Sequence, residues 1–107
     1  MISTHILDTS LGQPAAGVSV QLEKAEGENW SSIGRETTNA DGRISFQCPS
    51  EVGTYRLMFQ VDPYFKSQQV ASFFTQIPVL FRITDTKRKY HVPLLLNPFG
   101  YSTYRGS

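Results

Sequence analysis

Two histidines and one arginine, His5, His91 and Arg43, carry the chemistry that this sequence suggests. His5 lies in Ile2-Ser3-Thr4-His5-Ile6-Leu7-Asp8. Alternation there puts Ile2, Thr4 and Ile6 on one face of a strand and Ser3, His5 and Leu7 on the other. Arg43 falls opposite Ile44 and Phe46 by the same rule, and His91 falls opposite Val92, Leu94 and Leu96. All three polar groups therefore point away from the apolar faces of their strands. A neutral imidazole takes a proton from water near neutral pH. A guanidinium stays charged and offers a fork of donors to an oxyanion or a urea-like carbonyl. Imidazoles beside a guanidinium are disfavoured as cations, which keeps a base available. The set suits attack of water on an activated carbonyl or imide. No Gly-x-Ser-x-Gly nucleophile elbow occurs.

Each residue also has an inert reading. A strand histidine is commonly a satisfied structural group, and Arg43 directly after Asp41-Gly42 fits a solvated turn. The neighbours on the outward face favour a site. His91 shares its face with Pro93 and Leu95, and His5 with Leu7. A strand apolar on both faces is usually covered on both, and in a small domain a second subunit can supply the cover. Apolar walls around a few polar groups are what a small-ligand pocket requires. No metal is expected, because two histidines without a His-x-His pair do not make a zinc site within one chain.

The elements that must position these groups read as short strands. At 107 residues, with 39% apolar and 18% charged residues, the chain has room for a single domain, residues 1–107, with one modest core. A net charge of +1 gives no reason to expect nucleic acid, and no apolar run is long enough for a membrane helix. No signal peptide is read at the start, so a cytoplasmic location is expected, or a periplasmic one if a leader has been removed. The lone Cys48 excludes an internal disulfide and reads as a buried thiol. Strands are expected over Ile2–Asp8, Val18–Glu23, Trp30–Thr38 (polar, near an edge), Arg43–Gln47, Thr54–Val61, Val79–Thr84, Tyr90–Leu96 and Ser102–Arg105. Thr9–Gly17 reads as a loop. Asn39-Ala40-Asp41-Gly42 reads as a hairpin turn, with Arg43–Gln47 as the return strand. One short helix is expected near Tyr64–Val70, with Asp62 as N-cap and Pro63 at its first position. The fold class that follows is all-β: an antiparallel sandwich of seven to eight strands with one short helix.

The last eighteen residues, Tyr90 to Ser107, hold His91, an apolar strand, a turn at Asn97-Pro98-Phe99-Gly100 and a Tyr104-Arg105-Gly106-Ser107 ending. Aromatic, cationic and hydroxyl groups this close to the end of a chain point to a tail that takes part in the site.

Four motifs in order resemble the transthyretin-related proteins: Thr4-His5-Ile6-Leu7-Asp8-Thr9 with Gly12-Gln13-Pro14-Ala15, Thr38-Asn39-Ala40-Asp41-Gly42-Arg43, Tyr90-His91-Val92-Pro93-Leu94-Leu95, and the terminal Tyr104-Arg105-Gly106-Ser107. That ending resembles the hydrolase branch, which opens the ring of 5-hydroxyisourate to 2-oxo-4-hydroxy-4-carboxy-5-ureidoimidazoline in urate catabolism. The resemblance implies a transthyretin-like sandwich of two four-stranded sheets, a homotetramer built as a dimer of dimers, and sites in a channel at the dimer–dimer contact. It implies no cofactor. His5, Arg43, His91 and Ser107 are the implied catalytic or substrate-contacting positions, and Tyr104 and Arg105 are implied to shape the pocket and hold the tail. Many members read His-Tyr-His where this chain has Lys89-Tyr90-His91. Zinc is associated with such clusters in some members, so the lysine argues further against metal. Lys89 is also expected to help hold His91 neutral. The alternatives are a transthyretin-like carrier of a small ligand without catalysis, and a purely structural sandwich, which predicts a monomer.

Overall fold

The computed structural model describes all 107 residues, Met1–Ser107. Its elements are β1 (Ile2–Asp8), β2 (Gln13–Pro14), β3 (Ser19–Glu26), β4 (Asn29–Thr37), β5 (Arg43–Phe46), β6 (Gly53–Gln60), α1 (Val61–Ser67), β7 (Ile77–Ile83), β8 (Tyr90–Asn97) and β9 (Gly100–Thr103). One sheet has the order β2-β1-β8-β9, with β5 also paired to β1; the other runs β4-β3-β6-β7. The inward alternates of both sheets make the core. Ile2 and Ile6 of β1, Ile44 and Phe46 of β5, and Val92, Leu94 and Leu96 of β8 bury against Val20, Leu22, Leu57, Phe59 and Val79 of the second sheet. Burial of side chains this size is worth about 1.5–3 kcal/mol each, and it fixes which face of every strand is left outward. The all-β sandwich with one short helix is therefore the observed architecture. No helix is long and apolar enough to cross a membrane.

Four details differ from the sequence expectations, and two of them build the site. First, the sandwich is not wholly antiparallel: β1 and β8 run parallel, in register from Ile2↔Tyr90 to Asp8↔Leu96. The two strands lie more than eighty residues apart, and no hairpin dictates their direction. Second, β5 is not the return strand of a hairpin with β4. It pairs antiparallel with β1, from Ile2↔Phe46 to His5↔Arg43, so the chain changes sheets at the corner Thr38–Gly42. The buried Thr38 hydroxyl donates to the Ala15 carbonyl (2.7 Å) and accepts from the Val18 amide (2.9 Å). Asn39 Oδ1 accepts from the Asp41 (2.9 Å) and Arg43 (3.0 Å) amides. Gly42 has φ +73°, and a Cβ there would lie 2.6 Å from the Ile6 carbonyl oxygen. The positive φ anticipated for Asp-Gly is present, and it serves a change of sheet.

Third, the helix starts earlier than the Asp-Pro signal indicates. Gln60 is the N-cap, without a side-chain capping bond, and Asp62 lies in the first turn, paired to Lys66 at 3.1 Å. Val61, Tyr64 and Phe65 are the buried face, so anchorage of Val61 in the core decides the start. Pro63 is tolerated because first-turn amides have no intrahelical acceptor. Fourth, β9 begins at Gly100 and not at Ser102, since Asn97 Oδ1 accepts from the Phe99 amide (2.9 Å) and closes a tight turn. Smaller differences are a two-residue strand within Thr9–Gly17, a β3 that continues to Glu26, and a Cys48 only half-buried against the core.

Candidate active site

Three adjacent strands carry the outward polar groups, and their registers fix a patch of six residues. Across the row from β5 through β1 to β8 lie Ser45, Ser3 and His91; in the next row lie Arg43, His5 and Pro93. Register partners in a sheet project to the same face, with strands about 4.8 Å apart. His5 thus stands beside Arg43 and diagonal to His91. The parallel pairing of β1 with β8 and the corner that sends β5 to β1 are both needed for this. The alternation of β1, β5 and β8 agrees with the outward reading of all three residues.

His91 is held on two sides. Its Nδ1 is 2.8 Å from Ser3 Oγ. On the other side the tail returns along β8, and the Gly106 amide donates to the His91 carbonyl (2.8 Å). Gly106 packs against the imidazole so closely that a Cβ there would lie 2.5 Å from His91 Cδ2 and 3.3 Å from Pro93 Cγ. Pro93, outward by alternation, is buried. The chain's own tail packs on it, so this one outward residue does not need a second subunit for its cover.

Burial of the imidazole, with the positive charge of Arg43 and then of His5, holds His91 below the usual imidazole pKa. Lys89 is not among these causes, contrary to the expectation from its place two residues away. The Arg43 side chain is exposed and makes no hydrogen bond or ion pair within the chain, which leaves its donors free for a ligand.

A hollow of about 320 Å³ opens on this face, lined by Ser3, Arg43, Ser45, Lys89, His91 and Ser107 among others. The structure therefore brings Arg43, His91 and Ser107 together, with His5 next to them on β1. Tyr104 and Arg105 lie elsewhere. Between Thr103 and Gly106 the tail leaves strand geometry, and these two residues border a second hollow of about 370 Å³ beside β7, with Arg82 and Arg88. His91 borders both hollows. Sequence reasoning missed Ser3. Its signal was the shared outward face with His5, but its contact with His91 depends on a parallel register that no local pattern announces. No group of three or more His, Cys, Asp or Glu stands close enough to hold a metal ion.

This arrangement offers a neutral imidazole with one ring nitrogen held, an unpaired guanidinium, small hydroxyls and no acidic side chain in the lining. It can bind an anionic or carbonyl-rich small molecule and take a proton from water beside it.

The family model described as HIUase/Transthyretin family matches residues 2–106. The 5-hydroxyisourate hydrolase of Salmonella typhimurium is 46% identical over 110 residues, which is 100% of this chain and 81% of that protein. The structure of Klebsiella pneumoniae 5-hydroxyisourate hydrolase superposes with a TM-score of 0.88 at 42% identity, covering 99% of this chain and 98% of that one. Sea bream transthyretin in complex with thyroxine superposes with a TM-score of 0.91 at 28% identity, covering 98% and 93% of the two chains. With a full-length family match, relatives above 40% identity and the shared sandwich, the chain belongs to the HIUase/transthyretin family.

Proposed function

We propose that this chain is a hydrolase that opens 5-hydroxyisourate, and that the outer face of β5, β1 and β8 is where it does so. The observation that carries the proposal is that Arg43, His91 and Ser107 line one hollow with His5 beside Arg43 on the same face, in a chain whose relatives named 5-hydroxyisourate hydrolase reach 46% identity. In this reading Arg43 binds the urea-like carbonyls of the ring and stabilises the oxyanion that forms on attack. With its proton on Nδ1, His91 presents the Nε2 lone pair to a water, which is deprotonated as it adds to the ring carbonyl. The ring C–N bond then breaks, and its nitrogen takes up the proton. The new carboxyl and ureido groups account for all the atoms of substrate and water. His5 holds substrate or water beside Arg43 and disfavours protonation of His91. Ser107 offers a hydroxyl at the rim. Tyr104 and Arg105 carry the tail over the edge so that Gly106 and Ser107 reach the hollow.

Leu7 and Leu95 remain only half-covered on the outer face, and Leu80 and Phe99 are exposed. This supports assembly into a homotetramer that closes the hollow. The test is the ultraviolet decay of freshly made 5-hydroxyisourate with micromolar protein, alongside sedimentation. Acceleration over buffer by a tetramer supports the proposal. Ligand binding without turnover supports the carrier reading, and a monomer without turnover supports a structural sandwich.

A further inference from the structure

His91 has one nitrogen available to a substrate, and the other is taken. The partner is Ser3, whose Oγ lies 2.8 Å from Nδ1. Ser3 faces His91 directly across the parallel β1–β8 pairing, and on its other side it faces Ser45 across the antiparallel β1–β5 pairing. We infer that Ser3 is a positioning residue for the hydrolytic reaction: its hydroxyl accepts the Nδ1 proton of His91, selects that tautomer and aims the Nε2 lone pair into the hollow. This inference rests on the hydrolase reading given above.

An imidazole left to itself favours the tautomer with its proton on Nε2, which would point a donor at the water and leave no base there. Which nitrogen is protonated is set by the hydrogen bond that the other one makes. A serine hydroxyl accepts and donates. As acceptor from Nδ1–H it leaves its own proton free for the solvent or ligand side of the hollow, which Ser3 also lines. The opposite polarity, with Ser3 donating to Nδ1, would leave Nε2–H facing the substrate and would make His91 a hydrogen-bond donor in the ground state. Gly106 closes the other flank of the ring, where an added Cβ would lie 2.5 Å from His91 Cδ2 and would force the ring or the tail to shift. Between this wall and the hydroxyl the imidazole has little room to rotate, so loss of the hydroxyl alters both proton position and aim.

The experiment compares the wild-type chain with Ser3→Ala and Ser3→Thr. Nitrogen-15 spectra of the His91 ring at pH 7.5, recorded without substrate, are paired with kcat and KM on 5-hydroxyisourate. The expected result is a wild-type ring protonated on Nδ1. In Ser3→Ala the proton shifts to Nε2 and kcat falls by about a hundredfold, the low end of what a positioned general base supplies, at little change in KM. Ser3→Thr keeps a hydroxyl and regains most of both properties. Ser3→Ala with an unchanged tautomer and unchanged kcat overturns the inference, as does a wild-type ring protonated on Nε2. If the wild-type chain is inert on 5-hydroxyisourate yet shows an Nδ1–H tautomer that Ser3→Ala abolishes, the hold of Ser3 on the ring stands and the hydrolase reading falls.

Discussion

Replacement of Gly106 by alanine tests whether the tail is part of the site or only a covering. The added Cβ would stand 2.5 Å from His91 Cδ2, 3.2 Å from His91 Cγ and 3.3 Å from Pro93 Cγ. Carbon atoms in contact prefer about 3.5–4.0 Å, so the ring or the tail must move by roughly 1 Å. The ring is held at Nδ1 by Ser3, and the tail is held by the single bond from Gly106 to the His91 carbonyl. Either response displaces a reacting group. Misplacement by about 1 Å costs on the order of a hundredfold in rate. The stability at risk is one peripheral hydrogen bond, about 0.5–1.5 kcal/mol. We therefore expect Gly106→Ala to lose about a hundredfold in kcat/KM on 5-hydroxyisourate while its thermal midpoint drops by only a few degrees. Decay kinetics and a melting curve on the same preparation read both quantities. A variant with full activity would refute the reasoning, because it would mean that the packing of tail on imidazole does not govern the base.

Arg43→Ala should lose about a hundred- to a thousandfold in rate with almost no change in melting temperature, since the side chain is exposed and unpaired. Leu57→Ala should do the reverse: removal of a fully buried side chain costs about 2–5 kcal/mol in a denaturant titration. The pH–rate profile should stay level at neutral pH and fall with a midpoint below 6.5, because the folded protein holds His91 below its ordinary value; a midpoint above 6.5 contradicts this. Arg43 is one cause of that depression, so the residual activity of Arg43→Ala should show a midpoint nearer 6.5. The same shift affects folding. The unfolded chain binds more protons at His91 than the folded one between the two pKa values, so this group removes stability as pH falls through about 6.5, and denaturant midpoints should decline there. Gly42→Ala should lower both stability and rate, as it strains the corner that sends β5 to its place beside His5.

The alternation in β1, β5 and β8 was enough to separate His5, Arg43 and His91 from the core, because a buried face specifies its strand's orientation residue by residue. Strand pairing is a different kind of information. Nothing local to Ile2–Asp8 states that Tyr90–Asn97 will lie beside it in parallel, so the contact of Ser3 with His91 was invisible although both residues were on the correct face. The Asp41-Gly42 signal was right about backbone conformation and wrong about topology, since a positive φ is equally useful where the chain changes sheets. At Asp62-Pro63 a local capping pattern lost to the burial of Val61. The tail was legible as chemistry but not as geometry. Its bow between Thr103 and Gly106, which sends Tyr104 and Arg105 to a neighbouring hollow, depends on where β9 releases it.

The most direct test places the wild-type protein and His91→Gln side by side in a 5-hydroxyisourate decay trace, with both shown to be folded and of the same subunit number. With His91 as the base, the wild type accelerates the decay strongly and the variant loses about a hundred- to ten-thousandfold, the range a general base supplies. A wild type no faster than buffer, or a variant as fast as the wild type, contradicts it.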